Sequence, residues 1–295
     1  MAKVKLFWDP EGTELDSLGR KTLLRTTDGD TPFVSMSIRM LSIDAPEVHY
    51  PGNTDPAAHD ARLADLAVWL QAGRAPVADG LAAHLQPKLA TGVAGTLQRT
   101  QGEQAKAAFE ALVEQRLTQP NGRKRPVFLR TADEPFDEYG RLLAYVAPSY
   151  TSTELAAMTL KQRATFNLLM VEAGWAAPFP IYPSLPKHAD LSLLREVAEE
   201  AIQNGRGVWA EPMTLAGYEF RMCYRLWEVT QKLVNGQAVD SRTRGGWVQR
   251  YCVDITTRAI YPPQEYYKVQ VANRLFIWPK DVNEAVGRLN LEPGD

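Results

Sequence analysis

Between Asp28 and Glu47 the chain gathers residue types that bind hard cations and phosphate. Asp28, Asp30, Asp44 and Glu47 carry carboxylates, the class of oxygen donor that Ca²⁺ and Mg²⁺ take. Arg39 carries a guanidinium, which makes bidentate hydrogen bonds to phosphate oxygens. A second guanidinium, Arg141, follows far downstream in Asp137-Glu138-Tyr139-Gly140-Arg141. Together these types suit chemistry at a phosphate ester, which needs a nucleophile, a counter-charge and a means of holding the phosphate in line. Read singly, each has a plainer account. Asp30 is then the exit residue of a hairpin, and Arg39 and Arg141 are surface partners of Asp133, Asp137 or Glu138.

The local pattern says how these residues are presented. Asp28-Gly29 predicts a hairpin turn, because glycine tolerates the positive φ of a tight turn. From Val34 the apolar residues Val34, Met36, Ile38 and Met40 alternate with Ser35, Ser37 and Arg39. This predicts a strand whose apolar face is buried and whose arginine points the other way. Pro46 donates no backbone hydrogen bond and biases Ala45 towards extended backbone, so Asp44-Ala45-Pro46-Glu47 should leave the strand.

Asp28-Gly29-Asp30-Thr31, Ile38-Arg39-Met40, Asp44-Ala45-Pro46-Glu47 and Asp137-Glu138-Tyr139-Gly140-Arg141 resemble, in order and local spacing, the staphylococcal nuclease (thermonuclease) family. The resemblance covers Lys21 to Glu47 and Gly102 to Ala210. It implies an α+β fold built on a five-stranded Greek-key OB-type β-barrel with packed helices. It further implies a nuclease that hydrolyses phosphodiester bonds in DNA and/or RNA, leaving a 5′-hydroxyl and a 3′-phosphate. Asp30 and Asp44, with the backbone carbonyl of Ala45, are then metal ligands for Ca²⁺, with Mg²⁺ or another divalent ion as alternatives. Glu47 is the general base, Arg39 and Arg141 stabilise the phosphoryl transition state, and Tyr139 contacts the nucleotide. Ala45 stands where the family often has threonine, and Glu138 where it often has lysine, which alters the setting of a terminal phosphate. The competing reading is a non-catalytic nucleic-acid-binding or protein-interaction module on the same fold.

Composition agrees with a globular chain. Of 295 residues, 45% are hydrophobic and 23% charged, a balance unlike that of a disordered or membrane protein. A net charge of −2 excludes a protein that coats nucleic acid through bulk positive charge and leaves room for a local cationic pocket. No signal-peptide pattern precedes Asp9 and Pro10, so the chain reads as cytoplasmic, with no membrane partner. Cys223 and Cys252 are too few for a disulfide framework. His59, His84 and His188 lack ligand spacing, and His49 lies close enough to Glu47 to touch substrate.

Read in order, Val4 to Trp8 forms a first strand. The chain departs from the family pattern after Glu47, where residues 50–99 form a helical insertion. Asp55-Pro56 predicts a helix start, with Leu63, Leu66, Ala67 and Leu70 on one face and Gly73 as its stop. A second helix falls within 74–99. Thr100-Gln101-Gly102-Glu103 fits a capping box. Val127 to Arg130 and Leu142 to Val146 read as paired strands, and Leu160 to Ala173 and Leu191 to Asn204 as helices. The insertion could wall the cleft, act as a lid, carry a partner surface, or be a solvated elaboration. Residues 1–212 thus form a staphylococcal-nuclease-like domain, and 213–295 a small accessory α+β domain of unknown role. The latter is rich in aromatic residues, which suit either a packed core or a stacking platform for single strands. A protein partner could dock on the insertion or on 213–295.

Overall fold

In the computed structural model, which describes residues 18–48 and 55–294, the chain divides by its contacts into two units. One holds the described residues up to Arg39 together with Thr131–Ala144; the other holds Met40–Arg130 and the described residues from Tyr145 onwards. The expected strand Val4 to Trp8 and the loop histidine His49 lie outside the described residues.

In the first unit, β1 (Leu23–Thr26) and β2 (Pro32–Val34) form an antiparallel hairpin. Thr27 N donates to Thr31 O across the connection (3.1 Å). The turn is where Asp28-Gly29 predicts it, but Gly29 is not among the residues with positive φ. The longer connection removes the need for a left-handed residue. The single strand expected from Val34 is broken, resuming as β3 (Ile38–Met40). Val34, in a two-stranded hairpin with little surface to cover its own apolar side, is exposed rather than buried, as is Ile38 on β3.

The second unit begins with β4 (Ser42–Asp44) and three helices, α1 (Pro56–Gln71), α2 (Asp79–Leu89) and α3 (Ala94–Leu117). Asp55 caps α1 as predicted, its carboxylate accepting from Ala57 N (3.0 Å). Helix α3 starts earlier than its Thr100-x-x-Glu103 pattern suggests. Its first-turn amide, Thr96 N, is satisfied by Asp60 of α1 (2.9 Å) and not by a local cap. A long-range carboxylate has done the work of a local one, which no local motif could reveal.

There follow β5 (Val127–Phe136), β6 (Leu142–Pro148), α4 (Ser152–Ala157), α5 (Phe166–Glu172), β7 (Ala177–Phe179), β8 (Ile181–Tyr182) and α6 (His188–Gln203). Helix α5 begins at Phe166, later than the expected Leu160, because the Thr165 hydroxyl accepts from Leu168 N (3.2 Å) and caps it there. Beyond residue 212 come α7 (Gly217–Val234), α8 (Ser241–Gly245), β9 (Tyr251–Asp254), β10 (Ala259–Tyr261), β11 (Arg274–Ile277), α9 (Val282–Leu289) and β12 (Glu292–Pro293).

The described strands form four sheets, and none of these is a closed barrel: β1-β2, β3-β6-β5, β4-β7 and β12-β10-β9-β11-β8. The fold is mixed α+β. In the five-stranded sheet β8 runs parallel to β11, with Ile181 opposite Phe276, so residues after 212 complete a sheet that begins before it. The main core repeats this pattern. Leu63, Leu66 and Leu70 of α1 and Leu81, Leu85 and Leu89 of α2 share one cluster with Phe220, Cys223, Leu226 and Trp227 of α7. The helices of the insertion thus bury their apolar faces, against the segment 213–295, at about 1.5–3 kcal/mol per fully buried leucine. Cys223 and Cys252 are free, buried thiols.

Two consequences can be measured. Leu85→Ala should cost about 2–5 kcal/mol in urea denaturation, and truncation after residue 212 should abolish the cooperative transition, since it strips the partner surface from α1 and α2.

Candidate functional site

Strand β4 delivers Asp44, and its entry is tightly specified. Ser42 has φ of 61°, outside the range that a serine favours, and its hydroxyl lies 2.6 Å from the Tyr145 hydroxyl. Buried Asn167 on α5 donates to Leu41 O (2.8 Å) and accepts from Val146 N (3.0 Å). Antiparallel pairing sets Ser42 opposite Phe179 and Asp44 opposite Ala177.

The first turn of α7 meets this strand end. A Cβ at Gly217 would lie 2.4 Å from Ala45 O and 2.6 Å from Asp44 Oδ2. Only glycine permits that approach. One turn further along α7, Arg221 donates through Nη2 to Asp44 Oδ1 (2.9 Å) and through Nη1 to Glu47 Oε1. The Asp44 side chain is fully buried, while those of Arg221 and Glu47 are 21% and 26% exposed. Burial alone would pull the Arg221 pKa down; the two carboxylates outweigh it, and the net shift is upward.

The backbone of Glu47 is held from the other side by α3. A Cβ at Gly102 would come within 2.9 Å of the Glu47 carbonyl carbon. With its amide oriented to satisfy both contacts, Gln98 accepts from Glu47 N (2.7 Å) and donates to Leu215 O (3.1 Å). Gln101 accepts from the Thr214 hydroxyl (2.7 Å). Helix α3 therefore joins Glu47 to the residues that lead into α7.

In the first unit, Asp137 organises the turn that presents Arg141. Its carboxylate accepts from Tyr139 N (3.0 Å), Arg141 N (2.9 Å) and Arg141 Nε (2.7 Å). Burial pushes the Asp137 pKa up, but these hydrogen bonds and the guanidinium charge win, and the net shift is downward. Gly140 has φ of 66°, which explains the glycine, and its carbonyl accepts from Lys21 Nζ (2.9 Å). The Arg141 guanidinium lies 5.3 Å from the Tyr139 ring centroid, and Tyr139 is 71% exposed. Asp30 is exposed and accepts from the Thr31 hydroxyl (3.2 Å).

The residues singled out from the sequence thus fall into two sets. Asp30, Arg39, Tyr139 and Arg141 belong to the first unit, and Asp44, Ala45 and Glu47 to the second. Arg141 does take the salt bridge to Asp137 that its plainer reading offered. Within the second unit Asp44 and Glu47 are brought together by Arg221, which the sequence reading missed. A lone arginine in an amphipathic helix carries no motif, and its partners lie more than 170 positions away.

The donors suit a divalent ion only in part. Asp44 and the Ala45 carbonyl are hard oxygen ligands, yet Arg221 already takes one oxygen from each carboxylate and supplies their counter-charge. Among the described residues no group of three or more His, Cys, Asp or Glu is placed to hold a metal. With Arg221 in place, a Ca²⁺ ion at Asp44, whose shell takes about 6–8 oxygens, would have to draw most of its ligands from elsewhere, water included.

The family model for the staphylococcal nuclease homologues matches residues 37–211, more than half of the chain. The chain belongs to that family. The match includes Arg39, Asp44, Glu47, Tyr139 and Arg141, and it ends before Arg221. No curated protein matches the chain. No helix among the described residues is long and apolar enough to cross a membrane.

Removing the guanidinium from a buried carboxylate typically costs about 3–5 kcal/mol. Arg221→Met should therefore be strongly destabilising, and Arg221→Met with Asp44→Asn less so than the two single changes summed. A double-mutant cycle in denaturant measures the coupling.

Proposed function

We propose that the chain is a nuclease that hydrolyses phosphodiester bonds in DNA and/or RNA, on an OB-type Greek-key scaffold. The observation that carries this reading is the joint presence of Arg39, Glu47 and Arg141 within the matched region, with Glu47 held by its backbone and through one oxygen only. Arg221 engages Oε1. That leaves Oε2 to take the proton of an attacking water, and the fixed backbone keeps it in position. Arg39 and Arg141 would stabilise the charge that grows on the phosphoryl oxygens, with Tyr139 beside the nucleotide. The Arg141–Asp137 contact holds the guanidinium through Nε, so its terminal nitrogens remain available for a bidentate contact. Dependence on Ca²⁺, with Asp30 and Asp44 as ligands, is part of the proposal through the family resemblance; no step is derived through the ion.

One observation favours a second reading. A base ion-paired to Arg221 suits a non-catalytic module that binds nucleic acid or protein. The two are separated by cleavage time courses on single-stranded DNA, duplex DNA and RNA, with Ca²⁺, Mg²⁺ or chelator. For the enzyme, Glu47→Gln and Arg141→Gln should each slow cleavage by at least ~10²-fold, by analogy with loss of one transition-state donor. Absence of cleavage under every condition, from folded protein that still binds nucleic acid, would establish the module.

A further inference from the structure

Arg250 lies just before β9, in the segment beyond the family match. Its guanidinium sits 4.7 Å from the ring centroid of Phe179, 5.7 Å from that of Phe276 and 5.0 Å from that of Trp278. Phe179 is the β7 residue opposite Ser42, so Arg250 stands over the strand pair that ends in Asp44. Among the described residues Arg250 has no carboxylate or other hydrogen-bond partner. Neither does Arg225, one turn beyond Arg221 on α7. Arg221 has two carboxylates, which leaves Arg250 and Arg225 as surplus positive charge.

The stacking geometry matters. A guanidinium held on aromatic rings uses its flat faces and keeps its in-plane N–H donors for a planar or tetrahedral oxyanion. Burial, aided by Arg221 and Arg225 and opposed by Asp44, pulls the Arg250 pKa down to about 10. An arriving anion relieves that electrostatic cost. Arg221 also removes the obstacle to its arrival, since the charges of Asp44 and Glu47 would otherwise repel phosphate.

We propose that Arg250, assisted by Arg225, is a phosphate-binding residue that seats a backbone phosphate of a nucleic-acid strand over the β4–β7 pair. The identity of the ligand rests on the nucleic-acid reading above, but not on cleavage. Segment 213–295 then contributes substrate binding as well as core.

The test uses the full chain carrying Glu47→Gln, so that bound strand is not cleaved, and a short labelled single-stranded DNA titrated at several salt concentrations. Arg250→Gln should weaken binding and flatten the slope of log K against log salt by about 0.7, the loss of one phosphate contact to a single strand. Arg244→Gln, on exposed α8, should leave both unchanged. An unchanged slope in Arg250→Gln overturns the assignment, as does a parent chain that does not bind the strand. Should Arg250→Gln fail to fold, phenylglyoxal labelling of the parent, read by mass spectrometry, decides. Arg250 should react, and the DNA should protect it. An Arg250 that does not react, or reacts equally with DNA bound, overturns the proposal. A chain that cleaves while its binding ignores Arg250 keeps the nuclease reading and loses this one; a chain that binds through Arg250 without cleaving does the reverse.

Discussion

The guanidinium of Arg221 is the constraint on which the second unit depends. A carboxylate as buried as that of Asp44 loses its hydration, and the loss is offset only by a cation with good hydrogen-bond geometry. Arg221 meets that need and fixes Glu47 with the same group. It can do so only if α7 starts within touching distance of Ala45, which Gly217 permits. The position of α7 in turn rests on the leucine faces of α1 and α2. The ion pair, the glycine and the core are links in one arrangement, and residues on both sides of position 212 supply them.

This arrangement changes what the family match conveys. The match ends at residue 211, yet the group that engages Asp44 and Glu47 comes from residue 221. An insertion after Glu47 and a segment after 212 are here each other's packing partners. Helix α3 adds a third tie by holding the Glu47 backbone through Gln98 and Gly102. Under the proposed nuclease function, a carboxylate fixed from two sides suits proton transfer, where positioning supplies much of the rate. It is also one whose charge is already answered by a protein cation, so a metal ion at Asp44 or Glu47 would compete with Arg221 for their oxygens.

What the sequence disclosed was local. The Asp55-Pro56 start and the leucine stripe of α1, and the helix α6, follow from capping and periodicity. The errors have a common cause. Helix α3 begins early because Asp60 caps it from another helix. The alternation from Val34 to Met40 does not become one buried face because the chain breaks between β2 and β3, and Val34 lies in a two-stranded hairpin that lacks surface to bury it. Arg221 has the same origin as a miss: its partners are fixed by tertiary contact, and nothing in its neighbours announces them. Carboxylates and arginines were identified as a set, but which cation answers which carboxylate was not readable.

The central claim is that the carboxylate-bearing strand, the inserted helices and the segment after 212 stand or fall together. Native-state hydrogen exchange of the full chain tests this most directly, by comparing amide opening free energies in β4, α1 and α7. The account predicts that the most protected amides of all three open with the same, global free energy. Opening of α1 and α7 in a separate low-energy step, with β4 still protected, would contradict it.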